Sequence, residues 1–145
     1  MSSELPFVEA VSSRQAAEHA AWVSERVVAE NDLLFGSDDW ERFGLRVVDQ
    51  DGLVIGGVAG HSHWSLGHVD HIWVNPDHRH RGLGARLLSE ATQLLHDRGC
   101  SAVSLETYSF QNAVDFYRSH GFEVVLTIDD HPRGHRRWTL SRSLP

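Results

Sequence analysis

The stretch NPDHRHRGLGARLL, Asn75 to Leu88, decides how the rest of the chain is read. It sets three arginines and two glycines, with no carboxylate after Asp77, where a helix is about to begin. From about Gly82 the leucines at 83, 87, 88, 94 and 95, with Ala91, share one face of a helix that Gly99 stops. A helix start leaves unpaired N–H groups and carries roughly half a positive charge. Glycines 82 and 84 remove side chains that would block an anion's approach, and Arg79, Arg81 and Arg86 add positive field around the same mouth. That combination favours a pyrophosphate over a single carboxylate. A dinucleotide fold is disfavoured: Leu87 stands where a third glycine or alanine belongs, and the motif does not follow a first parallel strand.

Working outward, HVDHIWV before the motif reads as a strand ended by Pro76, preceded by the turn Ser65 to Gly67. LRVVDQ and LVIGGVAGHSHW, joined around Asp51 and Gly52, read as a hairpin antiparallel to it. Further upstream, PFVEAV reads as a short first strand. Ser12 or Ser13 caps a helix running to about Glu30, with Ala16, Ala20, Val23 and Val27 on one face. NDLLFGSDDWERFG reads as irregular or weakly helical. After the long helix come the strand SAVSLET, a short helix QNAVDFYRSH closed by Gly121, and strands FEVVLTI and RRWTLSRSL around a turn at Pro132 and Gly134. The order predicts a mixed α+β sheet in one domain spanning residues 1–145.

Composition fits a packed domain. At 145 residues the chain is long enough to bury roughly two thirds of its unfolded surface, and 41% hydrophobic with 23% charged residues is ordinary globular usage. All 13 basic residues are arginine and the net charge is −7. The absent lysine excludes a Schiff base and a Walker-type phosphate loop, and the charge disfavours nucleic acid while suiting a cationic substrate. One cysteine, Cys100, excludes an internal disulfide framework and reads as a small core residue. No apolar run reaches the roughly 20 residues of a membrane helix, and no leader is recognisable in MSSELPFVEA, so a cytoplasmic location is expected.

The run from Val74 through Arg79 to Gly82 and Gly84 resembles the acetyl-CoA signature of the GNAT superfamily of N-acetyltransferases, Q/R-x-x-G-x-G/A after a strand ending in valine. Downstream, Ala113, Phe116, Tyr117, Gly121 and Phe122 resemble that superfamily's second signature, A-x-x-F-Y-x-x-x-G-F. The similarity extends over nearly the whole chain. It implies a mostly antiparallel central sheet of six to seven strands flanked by about four helices, with a V-shaped split between the fourth and fifth strands. It implies acetyl-CoA as co-substrate, with the pantetheine arm beside the backbone of Ile72, Trp73 and Val74. The pyrophosphate would lie on the amides from Arg81 to Ala85, with Arg79, His80, Gly82, Leu83 and Gly84 completing the loop. Where relatives carry asparagine seven residues before the tyrosine this chain has Phe110, and Asn112 is the nearest replacement. The resemblance further implies direct attack by a small-molecule primary amine in a ternary complex, and pairing into a homodimer through the C-terminal strands.

The chemistry needs an oxyanion donor, an acid and a base. Backbone N–H groups near Ile72 suit the first, and the resemblance implies Tyr117 as the acid that protonates the departing thiolate. An alkylammonium with a pKa near ~10 must lose a proton before attack. Asp70, four residues before Val74, is expected on the strand face of Ile72 and Val74 with His71 on the other, and is the first candidate base. Glu106 on the neighbouring strand and a water are the alternatives. His61, His63, His68 and His71 could converge on adjacent strands, but no known metal spacing is present, so they are read as structural or substrate-lining and no metal is expected. Trp64 and Trp73 are the tryptophans expected near the cleft. The competing class is an acyl-CoA-sensing module that binds without turnover.

Overall fold

The chain divides into two compact units, Met1–Asp38 and Asp39–Pro145. A computed structural model describes residues 6–37 and 39–145. Residues 1–5 and Asp38, which carry parts of the expected leaderless start and of the expected irregular stretch, lie outside the described residues.

In the first unit Ser12 accepts from the amide of Gln15 and α1 runs Ala16–Leu34, four residues beyond the expected end. Leu33 and Leu34 are good helix formers, and the first positive-φ residue is Gly36. PFVEAV is not a strand: Phe7 and Val8 are 84% and 101% exposed and residues 6–11 take no regular secondary structure. β-propensity without a neighbour to bond does not make a strand.

The second unit holds β1 (Glu41–Val48), β2 (Val54–His63), β3 (Leu66–Val74), α2 (Leu83–Asp97), β4 (Ala102–Tyr108), α3 (Val114–Ser119), β5 (Glu123–Asp129) and β6 (Arg136–Ser143). Single 3-10 turns stand at Pro76–His78 and Ser109–Gln111. The six strands order β1-β2-β3-β4-β6-β5, antiparallel everywhere except between β3 and β4. This is the expected mixed α+β sheet, with six strands and three α-helices among the described residues. β1 begins at Glu41, so ERFG, expected to be irregular, supplies the start of a strand. No helix among the described residues is long and apolar enough to cross a membrane.

The leucine stripe of α2 does what its spacing predicts. Leu87, Leu88, Ala91 and Leu95 are buried against Val58, Val69, Val74, Val103, Leu105, Phe122 and Leu140, each leucine contributing about 1.5–3 kcal/mol of transfer free energy. Cys100 is 3% exposed within this core, as expected of a small apolar side chain.

Two irregularities shape the sheet around β3. The parallel ladder runs from Leu66↔Ala102 to Val69↔Leu105 and stops, so the two strands diverge from Asp70 and Glu106 onward. On the other side, Ala59 pairs with His71 but Gly60 pairs with Val69, which leaves Asp70 as an extra residue in a bulge. Gly60 permits it: a Cβ there would collide with the His68 carbonyl oxygen and come within 2.8 Å of the Phe43 ring. The extra residue resets the alternation, so Val69 and Val74 are both buried although five positions apart. Asp70 therefore does not share the face of Ile72 and Val74, as strict alternation predicts. It shares that of His61 and His68, both of which it contacts.

Candidate active site

The divergence of β3 and β4 opens a cleft of about 690 Å³ that runs from Asp70 and Glu106 to the start of α2. Its floor is β3 from Asp70 to Val74, and its far wall is α3 with Ala113, Phe116 and Tyr117. Beyond Val69 no strand among the described residues bonds to the β4 side of β3, so the backbone groups on that side face the cleft.

At the α2 end, His80 and Gly82 both have positive φ, 61° and 79°, and curl the loop into the first helical turn, whose amides have no partner within the helix. A Cβ built at Gly82 would meet no protein atom within 4 Å, and one at Gly84 would meet Phe116 only at 3.7 Å. Packing against the protein thus demands neither glycine, while the left-handed φ of Gly82 independently favours one there. They keep a cradle open beside donors that the helix itself cannot satisfy. Arg79 lines the cleft but donates its Nε–H to the Val74 carbonyl at 2.9 Å, tying the loop to the strand end.

At the other end, His68 bridges the fork. Its Nδ1 lies 2.8 Å from Asp70 Oδ1 on β3, and its Nε2 lies 2.9 Å from Glu106 Oε2 on β4. His61 Nδ1 also approaches Asp70 Oδ1, at 3.0 Å, but off the line a hydrogen bond requires. Partial burial pushes the Asp70 carboxyl up, yet the hydrogen bond from His68 and the charges of His61 and His68 outweigh it and hold the group below the ordinary carboxylate value. His61, His68 and Asp70 bring three potential metal-ligand atoms within 4.8 Å. The two imidazoles stack at 5.2 Å with 27° between their planes.

Tyr117 is 7% exposed on α3, and burial pushes its phenol above the ordinary tyrosine value. Gln111 also lines the cleft. Its Oε1 accepts from Thr107 Oγ1 at 3.0 Å and from the Tyr108 amide at 2.9 Å, which leaves its NH₂ as the remaining donor.

Of the residues singled out from sequence, Asp70, Glu106, Ile72, Trp73, Val74, Arg79, His80, Gly82, Leu83, Gly84, Ala85 and Tyr117 line one cleft. Arg81 and Asn112 do not. Asn112 ends the 3-10 turn with φ 53° and is exposed, and its neighbour Gln111 occupies the wall instead. Trp64 is also absent from the lining; it stacks on His63. Sequence reasoning missed Gln111 and the bridging role of His68. The i,i+2 spacing of His68 and Asp70 on one strand was the available signal for the latter.

Comparison with known proteins agrees with this geometry. The acetyltransferase (GNAT) family profile matches residues 8–122. Blasticidin-S acetyltransferase of Streptomyces morookaense is 38% identical over 84 residues, which cover 57% of this chain and 61% of that protein's length. An acetyltransferase from Bacillus cereus ATCC 14579 superposes with a TM-score of 0.84 at 27% identity, covering 96% of this chain and 98% of that one. A Bacillus anthracis str. Ames chain solved in complex with acetyl coenzyme A shares the fold at 18% identity, with a TM-score of 0.65 over 72% of this chain and 63% of its own. With both signatures lining one cleft of a split sheet, the chain belongs to the acetyltransferase (GNAT) family.

Proposed function

We propose that the chain is an acetyl-CoA-dependent N-acetyltransferase that acts on a primary amine of a small molecule by direct attack in a ternary complex. The observation that carries this reading is one cleft with amide donors at the α2 start, carboxylates at the other end and a buried phenol in its α3 wall. Acetyl-CoA, when bound, supplies an activated acyl carbon and a thiolate leaving group.

The amides from Arg81 to Ala85 hold the diphosphate, with Arg79 fixing their loop and His80, Leu83 and Gly84 shaping it. Backbone groups of Ile72, Trp73 and Val74 align the pantetheine arm, and the Gln111 side-chain NH₂ is better placed than Asn112 to donate to it. Backbone N–H groups near Ile72 stabilise negative charge on the acyl oxygen. The Tyr117 phenol, kept protonated by burial, gives its proton to the departing sulfur. A carboxylate at the fork, Asp70 or Glu106, receives the proton lost by the amine.

The net charge of −7 supports a cationic acceptor over an anionic one. The similarity to blasticidin-S acetyltransferase supports a small molecule as the acceptor. A cytoplasmic location belongs to the same reading. So does a homodimer, which is supported by exposed Val125 and Leu126 on the sheet's edge strand β5 and is checked by sedimentation.

The test is release of free CoA from acetyl-CoA across a panel of small primary amines. Turnover with at least one amine is expected. Tight acetyl-CoA binding with no CoA released from any amine would make the chain a sensor instead.

A further inference from the structure

We infer that Glu106 is the group that takes the proton from the acceptor amine, and that His68 is a positioning residue tying Glu106 to Asp70 across the fork. This rests on the N-acetyltransferase reading and decides between its two candidate bases.

Three observations separate the carboxylates. Asp70 Oδ1 already faces two imidazoles, His68 at 2.8 Å and His61 at 3.0 Å, which hold its carboxyl below the ordinary carboxylate value and make it the weaker base. Glu106 meets one, His68, through Oε2 alone at 2.9 Å, so Oε1 is left for the amine. The Glu106 side chain is also the more open of the two, 38% against 25% exposed, which gives the accepted proton a route to water.

Position explains why a histidine is needed here. Val69↔Leu105 is the last pair of the parallel ladder, so Asp70 and Glu106 are the first residues on either arm that no backbone bond holds together. Left alone, two carboxylates facing one another at the apex would repel and turn to solvent. His68, one residue before the last pair, reaches both. The groups around it are Asp70 on β3, His61 on β2 and Glu106 on β4. Trp40 stacks on His61 and carries Arg42 over its ring, and His71 lines the same cleft.

In the step itself an ammonium N–H bond breaks, an O–H bond forms at Glu106 Oε1, and the freed nitrogen lone pair attacks the acyl carbon. The proton then passes to water. No oxidant or metal is required.

The experiment compares wild type with E106Q, D70N, H68A and H68Q on a primary amine that wild type acetylates, from pH 6 to 10, with acetyl-CoA affinity measured alongside. E106Q is expected to lower kcat about 100-fold or more near pH 7, with acetyl-CoA Kd unchanged. That loss should shrink as pH nears ~10, where the amine loses its proton unaided. D70N should lose about tenfold or less. H68A should lower kcat more than it raises KM, and H68Q, whose amide can still donate to Glu106, should recover most of the loss. A merely structural histidine would not give that recovery. E106Q with the wild-type rate, or D70N with the larger and pH-rescued loss, overturns the assignment while leaving the acetyltransferase reading intact. A wild-type chain that binds acetyl-CoA and acetylates no amine overturns both.

Discussion

Arg79 Nε donates to the Val74 carbonyl oxygen at 2.9 Å, so the first arginine of the glycine loop is anchored to the end of β3. One of the two lone pairs of that carbonyl is thereby engaged. A hydrogen bond from a charged donor contributes about 1.5–3 kcal/mol, and here its effect is to hold the His80 and Gly82 turn in place. Arg79→Ala should raise the acetyl-CoA Kd about tenfold or more, the equivalent of ~1.4 kcal/mol. Arg79→Lys should recover only part, because an ammonium lacks the planar fork. Titration calorimetry reads both, and an unchanged Kd in the alanine variant would remove the anchor from the binding machinery.

Gly60 carries the bulge that sets Asp70 apart from its strand neighbours. A methyl there would press on the His68 carbonyl and on the Phe43 ring at 2.8 Å, and neither backbone nor a buried aromatic yields cheaply. Gly60→Ala should cost about 2–3 kcal/mol or more and lower Tm by roughly 5–10 °C. A melt within a degree of wild type would show that the bulge relaxes freely.

The elements legible in sequence are those whose signals are local. α2 was readable because its leucine spacing, Gly82 and Gly99 all fall within one stretch, and its buried face is the one expected. β2, β3, β4 and β6 were readable from β-branched runs bounded by turn residues. What failed depends on partners far along the chain. The phase of Asp70 is set by a bulge that needs Gly60 opposite it and Phe43 beside that, three strands' worth of contacts that alternation within HVDHIWV does not contain. The exchange of Asn112 for Gln111 has a similar cause: a single 3-10 turn at Ser109–Gln111 shifts which side chain meets the cleft. PFVEAV, expected as a short strand, takes no regular secondary structure.

Asp70 also predicts an acid limb in stability. Its carboxyl is held below the ordinary value in the folded chain, so the unfolded chain takes up the proton first as pH falls. The contribution is therefore fully present above the ordinary carboxyl range and is lost as pH drops from about 4 through the folded value. Asp70→Asn should melt below wild type at pH 7, and the gap should close on the way to pH 3. Scanning calorimetry at several pH values measures it. A gap that widens with acid would mean that the imidazoles do not stabilise the carboxylate.

Tyr117 offers the cleanest separation of chemistry from folding. Burial pushes its phenol above the ordinary value near ~10, so the hydroxyl remains protonated through the neutral range and is available as a donor. Tyr117→Phe keeps the ring against Phe116 and Phe122 and removes only the oxygen. Acetyl-CoA affinity and Tm at pH 7 should stay close to wild type while kcat falls about 100-fold. The linkage has the opposite sign from that of Asp70. Because the folded phenol resists ionisation, the tyrosine's contribution is present below about pH 10 and is lost as pH rises through the folded value. The phenylalanine variant should lack that alkaline loss. A variant that turns over like wild type would remove Tyr117 from the acid role.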